Sequence, residues 1–378
     1  MREGDGRDPS TGPGGVIGPL GAAVAIAAAM AGGPAAPSAA APPPADLSGL
    51  TAAQLAGQRL VYGFSGTRPP VDLVRRIRRG EAGAVILLGG NVPSVAAARA
   101  LVRRLQAIPR PAAVDRPLLV MVDQEGGLVR RIPGPPLRRA SAMGAAGVTS
   151  TRAAGRAAGR LLRTVGANVD LAPVADVARP GSFLEATGRT FGRSPGRVAG
   201  AAVAFSRGLR DAGVAAAAKH FPGLGSARVS TDEAPGTVAL ARPVLERVDL
   251  HPFRALIRDR VPMVMVSTAR YPAVDRVAPA ALSRSVVTGL LRERLGFTGV
   301  TVTDALDTPA LRPAGGTGAV AVRAAGAGED LLIHTGYAPG VTAARALTAA
   351  ITSGRLPRAE AERAVGRVLA LRSALPAQ

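Results

Sequence analysis

Val214-Ala215-Ala216-Ala217-Ala218-Lys219 is a short apolar run that stops abruptly on a lysine, with His220-Phe221-Pro222 behind it. Runs of this length bounded by turn signals fit strands of a buried parallel sheet. Seven more share the form, over 59–64, 84–88, 118–122, 168–173, 263–267, 299–303 and 330–334. Segments with helical spacing separate them, for example 95–108 with Ser94 as its N-cap, 151–165, 198–211, 244–258, 283–295 and 343–353. Strand and helix in alternation predict an α/β protein with a parallel sheet. Eight strands are the number that closes a (β/α)8 TIM-like barrel, so a single barrel domain is expected over 47–378. An open doubly wound sheet is the alternative.

In a barrel of this kind the site lies at the C-terminal ends of the strands. The residues that follow the apolar runs are Asn91, Asp123, Asp176, Lys219-His220, Ser267, Asp304 and His334. One such residue is an ordinary turn former. Charged or polar groups at most of the ends point to a polar ligand pocket. Lys219 is the only lysine in the chain. An ammonium is a compact point charge where a guanidinium is a planar fork, so this position is read as one that cannot accept arginine. A buried lysine beside carboxylates is suited to grip a hydroxyl-rich ligand.

Composition narrows the classes. The 378 residues include no cysteine and no tryptophan, so disulfides, thiolate metal sites and a cysteine nucleophile are excluded. The formal charge is +21, carried by arginines scattered along the chain. That charge suits association with an anionic cell wall; without interleaved aromatics it does not make a nucleic-acid platform. No charged residue occurs between Asp8 and Asp46. The apolar run 22–31 is too short to span a bilayer, and a Pro/Ala-rich stretch follows it. Residues 1–46 are therefore read as a signal peptide and linker, with a secreted or wall-associated product. No metal or organic cofactor is called for.

Seven segments carry a resemblance: VDQEGGLVRR (122–131), GANVDLAPVADV (166–177), GRTFG (188–192), KHFPG (219–223), MVSTARYP (265–272), PAALS (279–283) and GFTGVTVTD (296–304). In this order they resemble the barrel domain of family-3 glycoside hydrolases, in particular the single-domain β-N-acetylhexosaminidases. The resemblance implies that Asp123, Arg131, Arg189, Lys219 and His220 bind the non-reducing-end sugar. It implies that Asp304 is the nucleophile of a retaining mechanism, kept ionised by the neighbouring Lys and Arg charges. The expected activity is exo-hydrolysis of β-linked N-acetylglucosaminides from cell-wall or chitin-type fragments, with phosphorolysis as a variant.

One loop departs from the pattern. The hexosaminidases carry Lys-His-Phe-Pro-Gly-His-Gly followed by an Asp-Ser-His acid/base dyad. Here Leu224 replaces the first histidine, Ser230 stands at the dyad aspartate and Asp232 at its histidine. His251 reads as structural, and His334 as a strand-end residue to which no family role transfers. Three readings follow. Asp232, or alternatively Glu233, supplies the proton; or the protein turns over only activated substrates; or it is a non-catalytic glycan-binding barrel.

Overall fold

The computed structural model describes residues 47–376. Twelve strands appear in chain order: β1 Leu60–Tyr62, β2 Ala84–Leu87, β3 Leu119–Val122, β4 Gln124–Gly126, β5 Val129–Arg130, β6 Val169–Asp170, β7 Ala215–Phe221, β8 Met263–Val266, β9 Arg270–Tyr271, β10 Asp275–Pro279, β11 Val300–Thr303 and β12 Leu332–His334. Eight of them form one parallel sheet in the order β11-β8-β7-β6-β3-β2-β1-β12. The two ends meet through a Val302–Leu331 bridge, where the Thr303 N–H donates to the Leu331 carbonyl and the Leu331 N–H to the Thr301 carbonyl, both at 3.0 Å. The sheet therefore closes into the (β/α)8 barrel, and the doubly wound alternative is excluded. The extra strands form two hairpins, β4–β5 and β9–β10.

Alternation along the strands separates two cores. Val61, Ile86, Met121, Val169, Ala217 and Met265 pack inside the barrel. Their neighbours Leu60, Val85, Val120, Ala216 and Val264 face the helices. A strand buried on both faces has no reason to alternate apolar with polar, which is why each run read as continuously apolar.

Ser94 caps helix Val95–Gln106, accepting from the Ala97 N–H as expected. Helix Gly147–Val165 crosses helix Pro195–Asp211 closely. A Cβ on Gly155 would stand 2.3 Å from the Phe205 carbonyl oxygen, and one on Gly208 2.2 Å from that of Arg152. The segment expected as one helix over 244–258 contains a π turn, Leu245–Asp249, ahead of helix Leu250–Arg258. Pro252 lacks the N–H that an unbroken α ladder would use. At the barrel base, buried Asp330 accepts from Arg292 Nη2 at 2.6 Å and Arg367 Nη2 at 2.7 Å. It also accepts from the Thr301 N–H at 3.0 Å, tying β11 to the segment just ahead of β12 and to helix Arg358–Ala374.

The leader expected over 1–46 lies outside the described residues.

Candidate active site

A cavity of about 370 Å³ opens at the C-terminal end of the barrel. Its floor is the last inward layer of the strands: Ile86, Leu171, Met265 and Ile333. Asp123, Arg131, Arg189, Lys219, His220 and Asp304 all line it. The loop after β7 adds Ser230, Thr231 and Asp232.

Strict alternation would send one of two consecutive strand residues away from the cavity. Strand β7 evades this with a bulge. Between Ala218 and Phe221 it spends three residues against two on β8. The added residue re-aims the chain, and both Lys219 and His220 reach the cavity.

The Lys219 ammonium donates to Asp123 Oδ1 at 2.6 Å and stands 2.7 Å from Glu125 Oε1. Arg189 grips the same Glu125 with two bonds, Nε to Oε2 at 2.9 Å and Nη2 to Oε1 at 2.7 Å. Burial alone would push the lysine down and the glutamate up. The charges reverse both: Asp123 and Glu125 hold Lys219 above its ordinary range, and Lys219 and Arg189 hold Glu125 well below its own. Arg131 approaches Asp123 more loosely, at 3.7 Å. Asp170, beneath this cluster, is pushed up to about 8 by burial.

Asp304 is half-buried and accepts from the Ala305 N–H at 2.8 Å. Its carboxyl stands above the ordinary aspartate value. Burial raises it, Asp232 raises it further, and the attraction of His220 and Lys219 does not offset the two. The reason is geometric: Lys219 is already engaged by two other carboxylates. Asp232 and Glu233 are both exposed; Asp232 lines the cavity that holds Asp304, and Glu233 does not. Leu224 is buried in the cavity wall.

The other strand-end residues stitch loops together. Asn91 donates to the carbonyls of Phe64 and Gly66 at 2.8 and 2.7 Å. Ser267 Oγ accepts from the Ala269 N–H at 3.0 Å. His334 is fully buried away from the cavity, held down at about 4 by burial, and its ring nitrogens have no partner among the described residues. Gly126 and Gly127 have positive φ at the β4–β5 turn, and the backbone they admit is that of Arg138 and Arg139.

Two residues were missed as site members. Glu125 holds both Lys219 and Arg189, and Asp176 accepts from His220 Nδ1 at 2.7 Å. Asp176 had been noted as a strand-end residue without a role, and Glu125 stands two positions from Asp123. The available signal was charge balance, because two cations on strand ends that enter a core require buried anions.

Residues 53–371 match the glycosyl hydrolase family 3 N terminal domain. A protein of Arthroderma benhamiae named as an uncharacterized secreted glycosyl hydrolase is 36% identical over 331 residues, spanning 85% of this chain and 93% of its own length. A glycoside hydrolase family 3 β-N-acetylglucosaminidase from a Paenibacillus species superposes with TM-score 0.82 at 37% identity over 87% of this chain; the match spans 64% of that longer chain, just under two thirds. A β-N-acetylhexosaminidase from Beutenbergia cavernae superposes with TM-score 0.79 at 33% identity, over 86% of this chain and 99% of its own.

Proposed function

The chain belongs to glycosyl hydrolase family 3, and on that premise we propose that it is an exo-acting, retaining glycosidase. It hydrolyses O-glycosyl bonds, and the bond it is built for is a β-linked N-acetylglucosaminide of cell-wall or chitin-type fragments. The observation that carries this reading is the pairing of Asp304 with Asp232 on one cavity, beside Lys219 and His220.

Asp304 attacks the anomeric carbon and displaces the leaving oxygen, giving a covalent glycosyl-enzyme. Asp232 protonates that oxygen as it departs, then takes a proton from the water that releases the sugar. Asp123, Arg131, Arg189, Lys219 and His220 hold the hydroxyls of the sugar. Glu125 fixes two of these cations from behind. A cavity of about 370 Å³ with one open side suits a single terminal sugar, hence exo action. The N-acetyl preference rests on the names of the Paenibacillus and Beutenbergia relatives.

Export through a signal peptide within 1–46, ahead of the barrel domain at 47–378, belongs to the same proposal, supported by the sequence pattern and the secreted relative. Association of the +21 chain with anionic wall polymer is its electrostatic corollary.

The test is turnover of a chromogenic aryl N-acetyl-β-glucosaminide. The wild-type chain is expected to release the aryl alcohol, and Asp304→Asn to abolish release. Sugar binding without release by the wild type would instead make the chain a glycan-binding barrel.

A further inference from the structure

Asp176 lies outside the cavity lining and is fully buried, yet it carries an unusual load of donors. Oδ2 accepts from the His220 ring Nδ1 at 2.7 Å. The His220 backbone N–H lies 3.2 Å from Oδ2 and 3.3 Å from Oδ1. Oδ1 also accepts from the Leu224 N–H at 2.6 Å. One carboxylate thus binds the imidazole of a cavity residue, that residue's backbone, and the root of the loop that leads to Asp232.

That root is fastened along its length. The segment after β6 donates three backbone bonds to the end of β7 and the loop that follows it: Ala175 N–H to Lys219 O at 2.6 Å, Arg179 N–H to Gly225 O at 3.0 Å, and Phe183 N–H to Ala227 O at 3.1 Å. Gly225 has no room for a side chain, since a Cβ there would stand 2.0 Å from the Val177 carbonyl oxygen. Within this seam Asp176 is the side chain that bonds the ring and the loop together.

We infer that Asp176 is a positioning residue that holds His220 and the acid-bearing loop as one unit. The inference rests on the proposed glycosidase reading for its kinetic consequences, but not for its geometry. A carboxylate only accepts, so the proton of the paired ring nitrogen sits on His220 Nδ1 and Nε2 is left for the cavity side. An aspartate that merely closed a turn would bond backbone N–H groups alone. The fields of Arg189, Asp249 and Tyr271 also reach Asp176 and are felt by it in return, so a pH profile by itself does not isolate its role.

Two measurements test it. The chain has three histidines, His220, exposed His251 and buried His334, whose ring has no partner among the described residues, so ¹⁵N imidazole spectra of the full-length protein resolve each ring. His220 is expected to carry its proton on Nδ1 at neutral pH; a ring protonated on Nε2 alone overturns the inference, whether or not any variant folds. The second measurement is a cycle of Asp176→Asn, His220→Gln and the double variant, checked for folding by thermal unfolding. An amide offers one acceptor oxygen and turns N–H groups toward donors. kcat/KM for an activated aryl glycoside is expected to fall about 10- to 100-fold in Asp176→Asn, the scale on which loss of an outer-shell partner is felt. The double variant should lie within about twofold of His220→Gln, because the two act as a unit. An unactivated alkyl glycoside should lose more in Asp176→Asn than the aryl one, because the Asp232 loop is loosened too. Losses that multiply in the double variant, or wild-type kinetics in Asp176→Asn, contradict the inference. Absence of turnover in the wild-type chain defeats the glycosidase reading, while the tautomer measurement still decides the role of Asp176.

Discussion

Replacing Lys219 by methionine removes the one ammonium of the chain and keeps most of its length. The side chain is 3% exposed and is shared by Asp123 at 2.6 Å and Glu125 at 2.7 Å. Breaking a buried ion pair by deleting one partner costs about 3–5 kcal/mol, because the other charge stays behind unpaired. Here the stranded charges retain some support. Glu125 keeps both bonds from Arg189, and Asp123 is 14% exposed with Arg131 at 3.7 Å. The low end, about 3 kcal/mol, is therefore expected. For a domain of this size that corresponds to a fall of roughly 6 °C in Tm, at about 2 °C per kcal/mol. The pH dependence has a definite sign. Glu125 is depressed in the folded state, so its contribution is full above its unfolded value near 4.5 and fades as pH falls through the folded one. The gap between wild type and Lys219→Met should be complete at pH 7 and narrow below about pH 4. Adding Asp123→Asn to Lys219→Met should recover part of the loss, since one stranded carboxylate is gone. Thermal and urea unfolding measure both effects. A variant within about 0.5 kcal/mol of wild type at pH 7, the scale of an ordinary surface substitution, would refute the reasoning. So would a double variant that simply adds the two losses.

Asp304 has a raised pKa and must be ionised to attack, so kcat/KM should climb with pH through a midpoint clearly above the ordinary aspartate value of about 4; a limb at or below that value contradicts the burial argument. Asp232→Asn should slow an unactivated alkyl glycoside by about 10²–10⁴-fold and an aryl glycoside with a good leaving group far less, whereas Glu233→Gln should change neither; equal losses on both substrates would remove Asp232 from the acid role. Gly225→Ala places a methyl against the Val177 carbonyl at 2.0 Å and should cost turnover of the alkyl glycoside through the displaced loop, read as a fall in kcat. Asp330→Asn leaves Arg292 and Arg367 without their shared carboxylate and should cost about 3–5 kcal/mol in unfolding while the folded enzyme keeps its kcat, since the clamp lies at the opposite end of the barrel.

Much of the fold was legible because both cores speak through one pattern. Each barrel strand is buried on the inside by layers such as Ile86 and Met265 and on the outside by helices, so each appeared as an uninterrupted apolar run. Strand ends were less legible: 59–64 shortens to Leu60–Tyr62 and 330–334 to Leu332–His334, and of 168–173 only Val169–Asp170 pairs. Asn168 spends its amide on Val120 N–H and Leu118 O, and Pro173 has no N–H to give. The two hairpins went unseen, since β4–β5 and β9–β10 are short and depend on contacts made by the barrel beneath them.

The site was legible residue by residue where a side chain projects from a strand end. It was not legible where a second layer acts. Nothing in the spacing tells that Arg189 and Lys219 meet on Glu125, because these residues are 64 and 94 positions from it and come together only on barrel closure. The electrostatics of Asp304 likewise depend on burial, on Asp232 and on the partners that already engage Lys219.

The central claim is that Asp304 forms a covalent bond to the sugar. Its most direct test uses an N-acetyl-β-glucosaminyl donor fluorinated on the ring, which slows breakdown of the intermediate, followed by peptide mass spectrometry. A sugar-sized mass increment on the peptide containing Asp304, absent from Asp304→Asn, is the predicted result. Turnover of the parent substrate with inversion at the anomeric carbon, or a label carried by any other residue, would contradict it.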